Sequence, residues 1–556
     1  MRKSLVAFDT NHIKQYVFGT DKLREIRGAS SILDKLNRYS MRDTAKEAGF
    51  PIEEVYTNGG GGLFLIDSDK ALDFGQRVQR MYREQTGYGA SITYLVQELP
   101  EHIKTIADGD RIKDHLESLR WRLREKKLIP LDTTSFPTHP FMRTCDSCGV
   151  FHAAPDNGVV NRDPGKSEEL YCTSCQQKRQ RDTRVKRYIE GIVKADKIPH
   201  DDFLWKEVIE RLEKMGYDLS SLPGRPEDFN VFSSFKGRKD YFALIYADAN
   251  GMGKAFENCE GLSEYHALAK NVDGAIYQAV CSAIAQYLKV TDHVPTGQQP
   301  TFPFDILLMG GDDVLMAVPA TVALDVALTI AKVFQEEMQK RYSDKKYGLS
   351  VGVVIAPIKY PFRLLESLAT TTLNFAKDEG NGEPRINFVT VAGSAGETFG
   401  KVFDTLHTPA REHERSVKKQ FFATLRPYDP DTLDRLLQAI RKGRRRNLGR
   451  SKLHQMREAI LKMNLTTSVS ESRAVLMNWK DVQRDYVIDF VHTFANQHLN
   501  GTSENPNPET LRYERPFPWF FSEKKGERSI YRTPLLDFIE LYDFVSGEEV
   551  ADGDTH

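Results

Sequence analysis

Two aspartates at the tip of a glycine turn are the residues of this sequence best placed to do chemistry. In "LLMGGDDVLMAV", Gly310 and Gly311 permit a sharp reversal between two apolar strands, and Asp312 and Asp313 project from it as hard oxygen ligands suited to Mg²⁺ or Mn²⁺. Two carboxylates hold a divalent ion weakly, so a third is expected. The apolar run "DYFALIYAD" supplies it at Asp248. The loop that comes next, Ala249-Asn250-Gly251-Met252-Gly253, carries two glycines into a helical pattern, so its backbone N–H groups could cradle a triphosphate. Lys377, in "NFAKDEG", is a candidate phosphate partner on the same rim, although a lysine near a helix C-terminus also simply complements the dipole. An ordinary Gly-Asp turn would explain the hairpin alone; it does not explain the strand-terminal aspartate and the glycine loop beside it.

A second cluster is cysteine-rich. Cys145, Cys148, Cys172 and Cys175 form a C-x₂-C-x₂₃-C-x₂-C pattern. Each knuckle presents two thiolates, and two knuckles complete a tetrahedral Zn²⁺ site with no open position, hence a structural one. Cys259 and Cys281 stand alone in helix-like sequence, so the usage is that of a metal site and not of a disulfide framework.

The elements that must position these groups are read from periodicity. Around the GGDD turn the order is strand 240–248, helix 262–289, strand 302–309, returning strand, helix 320–341, strand 347–357, then helix 361–377 and strand 385–391. This is the split βαβ, ferredoxin-like arrangement. The first hundred residues repeat it. A strand passing through Asp9 leads to a helix over 28–47, strand "EEVYTN", four glycines, strand "LFLID", helix 69–86 and strand 88–96. Superposing the hairpins sets Gly59-Gly60-Gly61-Gly62 against Gly310-Gly311-Asp312-Asp313, which points to internal duplication with a first copy that lost its carboxylates.

The fold class expected is therefore α+β: two ferredoxin-like (βαββαβ) domains, a zinc-ribbon-containing insertion and a helical C-terminal domain. The boundaries read are 1–100 for the degenerate first domain, 101–235 for the helical and zinc-binding part, 236–400 for the GGDD domain and 401–556 for the helical end. With 556 residues, several cores are required. A formal net charge of −1 leaves nucleic-acid binding to local patches such as "QQKRQRDTRVKRY" and "RKGRRRNLGRSK", each of which also reads as a solvated face. No run of apolar residues is long enough for a membrane span, and the short apolar start soon meets Asp9 and His12, so a cytoplasmic protein is expected. His12 and His152 do not rise above background, and the tail "EEVADGDTH" reads as disordered.

The set "YADANGMGKAF", "LLMGGDDVLMAV" and "SVGVVIAP…LNFAKDEG" resembles the polymerase-like large subunit of type III CRISPR effector complexes, a family related to GGDEF diguanylate cyclases. The resemblance covers most of the chain. It implies two palm domains, ATP as substrate, conversion into cyclic oligoadenylate messengers in antiviral defence, and guide or target RNA and other effector subunits as partners. By motif position, Asp248, Asp312 and Asp313 would hold Mg²⁺, while Gly251, Gly253 and Lys377 would meet phosphates. Two departures stand out. Asn250 occupies a place where the first palm motif commonly shows Asp. Members often begin with an HD-type nuclease, whereas this sequence opens on its first palm and the lone His-Asp pair in "PHDDF" (199–203) lacks further ligands, so DNA cleavage is not expected. The alternatives are a decayed RNA- or partner-binding scaffold, and a stand-alone cyclase making a cyclic dinucleotide from ATP or GTP.

Overall fold

The computed structural model describes residues 2–109, 112–128, 141–154, 158–159, 169–193, 203–221, 223–234, 240–290, 300–391, 419–462, 465–499, 517–525 and 528–546. Most of the "PHDDF" segment and the "EEVADGDTH" tail lie outside the described residues.

The N-terminal part runs β1 (Lys3–Asn11), α1 (Ile13–Phe18), α2 (Leu23–Lys35), α3 (Met41–Glu47), β2 (Ile52–Tyr56), β3 (Gly61–Asp67), α4 (Ser68–Gln85), β4 (Ser91–Glu98) and α5 (Lys113–Leu128). The single helix expected over 28–47 is split by a π-helical stretch at Leu36–Ser40. Its strands form one sheet in the order β2-β3-β1-β4, all neighbours antiparallel. Alternation along β1 sends Val6 and Phe8 toward Phe74 and Val78 of α4, while Leu5 and Ala7 face the opposite way.

Two short strands, β5 (Gly158–Val159) and β6 (Glu169–Leu170), pair antiparallel beside the cysteines. The helices α6 (Thr173–Val193) and α7 (Phe203–Lys214) then lead to the second large sheet. That part contains β7 (Tyr241–Ala249), α8 (Met252–Glu257), α9 (Leu262–Tyr287), β8 (Asp305–Gly310), β9 (Asp313–Pro319), α10 (Ala323–Arg341), β10 (Leu349–Pro357), α11 (Phe362–Gly380) and β11 (Ile386–Thr390). Its order is β11-β10-β7-β9-β8; β10, β7, β9 and β8 are antiparallel in turn, and β11 is added parallel to β10. The order β10-β7-β9-β8 is that of β4-β1-β3-β2 in the first sheet, so the duplicated element order is also a duplicated sheet. Helix α11 lies against β10 so closely that a Cβ on Gly352 would stand 2.6 Å from the Leu373 nitrogen.

The two halves are tied by buried charge. Arg27 of α2 donates to Asp305 at 2.6 Å, and Arg225 donates to the other oxygen of the same carboxylate at 2.8 Å. Both arginines and Asp305 are almost fully buried, so removing one partner would strand the others at a cost of about 3–5 kcal/mol. Arg38 reaches Asp273 of α9 at 2.8 Å, and His266 of α9 contacts the Val55 carbonyl at 2.7 Å.

The C-terminal part is not only helical. β12 (Lys419–Phe422), α12 (Pro430–Arg445), α13 (Arg450–Ile460), α14 (Leu465–Met477), α15 (Asp481–Leu499), β13 (Phe520–Lys525), β14 (Arg528–Arg532) and α16 (Leu535–Leu541) include a three-stranded sheet, β12-β14-β13. Its strands are short and β12 pairs with a strand far along the chain, so local periodicity carried little sign of it. Helix α12 does show its start locally: Asp429 caps it, its carboxylate accepting from the Thr432 amide at 2.9 Å, with Pro430 in the first turn.

Candidate active site

Strand β7 is buried along its length because both faces are covered. Ala243, Ile245 and Ala247 join the cluster containing α9 and α10, and Phe242, Leu244 and Tyr246 join that of α11. By the same alternation Asp248 falls on the α11 face, at the end of the strand. In register it stands opposite Asp313, the first residue of β9, and Asp313 also pairs with Gly310. The Asp312 carbonyl accepts from the Ala249 amide at 3.3 Å, which pins the GGDD turn to β7. Gly311 makes the turn with φ +67°.

The three carboxylates are close enough to repel one another. Burial and the nearby Asp248 charge raise Asp312 to about 6, and burial with Asp248 and Asp312 raises Asp313 to about 8. Burial, then Asp313 and Asp248, also pushes the Tyr246 phenol up. Such a group of hard oxygens is charged only at a cost, and as placed the three are not gathered within the reach of one ion as the four cysteines are. Lys377, in the last turn of α11, donates to the Asp248 carboxylate and to the Ala249 carbonyl at 3.3 Å. Lys14 of the first half is a cation that sequence reading did not pick out. Its ammonium lies 5.0 Å over the Tyr246 ring and 3.8 Å from Glu366, and its charge favours ionised Asp313. A lysine in a short helix of the other repeat carries no local signal of this.

The loop after Asp248 serves the backbone more than the side chains suggested. The Asn250 amide donates to the carbonyls of Gly382 and Glu383, at 3.3 and 3.0 Å, so this residue clamps the turn between α11 and β11. Met252 is buried, and Ala249 is buried at the strand end. Gly251 has φ +68° and opens the six-residue α8, a far shorter helix than the one the glycines were expected to enter; Gly253 has open space at its Cβ position.

The glycine hairpin of the first half meets the GGDD hairpin directly. A Cβ on Gly311 would lie 3.1 Å from the Gly59 Cα. Beside this contact is a cavity of about 310 Å³ lined by Asp9, Tyr56 and Gly61 from one side and by Gly253, Gly311 and Asp312 from the other. Its first-half wall is completed by Arg120 and Arg124 of α5.

The registers correct the hairpin superposition by one residue. Asp9 pairs with Gly61 as Asp248 pairs with Asp313. Gly60 and Gly61, not Gly61 and Gly62, therefore occupy the places of Asp312 and Asp313. A lysine confirms the anchor. Lys127 of α5 contacts Asp9 at 2.8 Å and the Thr10 carbonyl at 3.1 Å, the same carboxylate-and-next-carbonyl grip that Lys377 has on Asp248 and Ala249. Helix α5 is thus the counterpart of α11, and the repeated unit extends past the boundary read at residue 100.

At the cysteine cluster, one ligand atom from each of Cys145, Cys148, Cys172 and Cys175 lies within 4.8 Å of all the others, a fit for a single tetrahedral ion. Ser147 bonds Glu25 of α2, and Arg179 donates to Glu25 at 2.6 Å, which docks this cluster on the first half. The basic stretch beyond it is largely absorbed by the fold. Lys178 is buried and donates to the Tyr16 carbonyl at 2.7 Å, and Arg181 is buried against Ser31. In "RKGRRR", Arg441 bonds Asp325, and Arg444 donates to the Tyr542 carbonyl at 2.7 Å. Arg184, Lys442 and Arg445 of these runs stay exposed. Among the described residues no helix is long and apolar enough to cross a membrane.

Known proteins share this architecture. Residues 241–383 match the family described as Cas10/Cmr2, second palm domain. No curated protein matches the sequence. Among solved structures, a chain of a Csm1–Csm4 cassette in complex with cA4 aligns at a TM-score of 0.53 and 12% identity, covering 98% of this chain and 70% of the other. The cassette in complex with pppApA aligns at 0.52 and 12% identity, and that with one ATP at 0.51 and 13%, both with the same coverage of 98% and 70%. Residues 241–383 are thus similar to the second palm domain of Cas10/Cmr2, within a chain that shares the fold of these cassette chains.

Proposed function

We propose that this chain is a Mg²⁺-dependent nucleotidyltransferase that converts ATP into cyclic oligoadenylates in CRISPR-type antiviral defence. The observation that carries the reading is the convergence of Asp248, Asp312 and Asp313 at one hairpin tip under Lys377. In the proposed reaction the 3′-oxygen of one nucleotide bonds to the α-phosphorus of another. The bond from that phosphorus to the β-phosphate oxygen breaks, pyrophosphate leaves with the electron pair, and the hydroxyl proton is released to water. Asp248, Asp312 and Asp313 would hold Mg²⁺, which when bound lowers the cost of the alkoxide and of the departing pyrophosphate. Lys377 would pass from the Asp248 carboxylate to a phosphate oxygen as nucleotide enters. Gly251 and Gly253 would let phosphates approach the backbone, Gly310 and Gly311 would keep the turn narrow, and Asn250 would hold the loop through residues 382 and 383.

The domain plan belongs to the same proposal: two ferredoxin-like palms, a zinc-ribbon module closed by a structural Zn²⁺ on the four cysteines, and a C-terminal domain, in a cytoplasmic complex with RNA and other subunits. Structures of Csm1–Csm4 cassettes with ATP and cyclic oligoadenylates support the substrate class. The test is direct. The full chain, with partner subunits and target RNA, is incubated with ATP and Mg²⁺ and the products are read by mass spectrometry for 3′–5′-linked rings; ATP consumption without any such product, or none at all, sinks the reading. Parallel turnover of GTP measures base preference.

A further inference from the structure

How Asp312 and Asp313 stand against Asp248 depends on what holds the outer strand of their hairpin; that this placement matters rests on the proposed reaction. Strand β8 is the last strand of its sheet, paired only with β9, and its register slips between Ile306 and Leu308. An edge strand with a break in its single ladder is poorly fixed by its own sheet. The first palm holds both of its ends. At the start, Arg27 of α2 grips the buried Asp305 at 2.6 Å. At the other end, the Arg38 Nη2 lies 4.0 Å from the point that a Gly310 Cβ would occupy, and the Gly59 nitrogen lies 3.9 Å from the same point.

Arg38 belongs to the π-helical stretch Leu36–Ser40 that follows α2. Such a turn is rare and is found mostly where function requires it. Here it gives adjacent side chains different partners. Asn37 accepts from the Tyr82 hydroxyl, which also bonds Thr10 at 3.1 Å, one residue past Asp9 in the first palm. Arg38 turns to the second palm. Its Nε donates to Asp34 at 2.9 Å, and its Nη1 and Nη2 donate to the two oxygens of Asp273 on α9, at 3.3 and 2.8 Å. Its guanidinium carbon lies 5.8 Å from the centre of the Tyr277 ring, on the same helix. A buried planar fork held by two carboxylates is a rigid strut, which a lysine could not reproduce in full.

We propose that Arg38 is a positioning residue for the second palm: packed against Gly310, it fixes the GGDD turn, and with Arg27 it makes the first palm the outer support of that hairpin. The palm without the carboxylate pair then contributes to turnover although its strut touches no reacting atom.

The test compares Arg38→Gln and Arg38→Lys with wild type in the full chain with partner subunits and target RNA. A small displacement of the carboxylates acts on the transition state more than on nucleotide binding, so Arg38→Gln should lower kcat about 10–100-fold while KM for ATP stays within about twofold. Arg38→Lys, which keeps the charge, should recover part of the loss. Hydrogen–deuterium exchange of the nucleotide-free chain, read by mass spectrometry, should quicken in the peptide spanning 306–316 and not in the first-palm sheet. Should Arg38→Gln not fold, Arg38→Gln with Asp273→Asn, which removes the stranded charge, carries the same expectation. Wild-type kcat in a folded variant overturns the inference, and so does exchange that quickens equally across the molecule, the mark of a merely structural role. A wild-type chain that yields no cyclic product sinks the proposed function, and exchange then decides for Arg38 alone: unchanged protection at 306–316 overturns its positioning role, and a local rise supports it.

Discussion

The two palms share a sheet order, a hairpin contact and a lysine grip, and differ in what stands at the hairpin tip. In the second, Asp312 and Asp313 crowd Asp248, and burial with mutual repulsion makes the group difficult to charge without a cation. In the first, Gly60 and Gly61 stand in the places of the pair and Asp9 is satisfied by Lys127, while Gly59 meets Gly311. The contact itself is glycine on glycine, Gly59 against Gly311, so neither backbone carries a side chain where the two turns meet.

The largest expected effect breaks the second palm. Asp312→Ala combined with Asp313→Ala should lower cyclic product formation about 10³-fold or more, the scale of removing a principal electrostatic element. Product is read by mass spectrometry, and unchanged turnover would place the chemistry elsewhere. Next, the lysines should separate the palms. Lys377→Ala should cost about 10–100-fold in turnover, as for loss of a residue supporting a metal ligand. Lys127→Ala, whose ammonium grips Asp9 and the Thr10 carbonyl beside glycines instead of aspartates, should leave kcat largely unchanged; equal falls in kcat for both would erase the distinction.

Restoring what the first palm lost should fail. Gly61→Asp meets the Phe8 carbonyl and the Tyr56 hydroxyl, so a destabilisation of about 1–3 kcal/mol is expected, with no added Mg²⁺ site by titration calorimetry. A stable variant with a second metal would show that the first palm is dormant rather than rebuilt.

A further effect is on stability against pH. Asp313 ordinarily titrates near 3.8 and is raised to about 8 in the folded protein, so the folded state binds its proton more tightly than the unfolded state. In metal-free protein stability should therefore fall as pH rises from about 4 to about 8. Asp313→Asn should remove part of that slope: its unfolding midpoint in EDTA should match wild type near pH 4 and exceed it near pH 8. A difference constant with pH would mean that Asp313 is not under repulsion.

Much of the site was legible along the chain because it is local. Gly310 to Asp313 lie together in sequence, Asp248 ends an unmistakable buried strand, and the two CxxC knuckles announce their ion by spacing. Asn250 was legible as a departure from a motif, but its task was not. That the amide clamps residues 382 and 383 depends on a turn brought beside it by α11 and β11. The one-residue error in the hairpin superposition has a clear origin. Four identical glycines offer no side-chain pattern to set a register, and only the pairing of Asp9 with Gly61 does so.

By itself the sequence determined the strand order along the two large sheets, the duplicated strand pattern, the metal-suited carboxylates and the cysteine cluster. Each of these is written in periodicity or spacing over a few tens of residues. The tertiary structure decided that the glycine hairpin touches the GGDD hairpin, that α5 mirrors α11, that the Lys14 charge acts on Asp313, and that Lys178, Arg181 and Arg444 of the basic helices are spent within the fold. These depend on which surfaces the two sheets bring together, and packing between distant segments leaves no period in the chain to read.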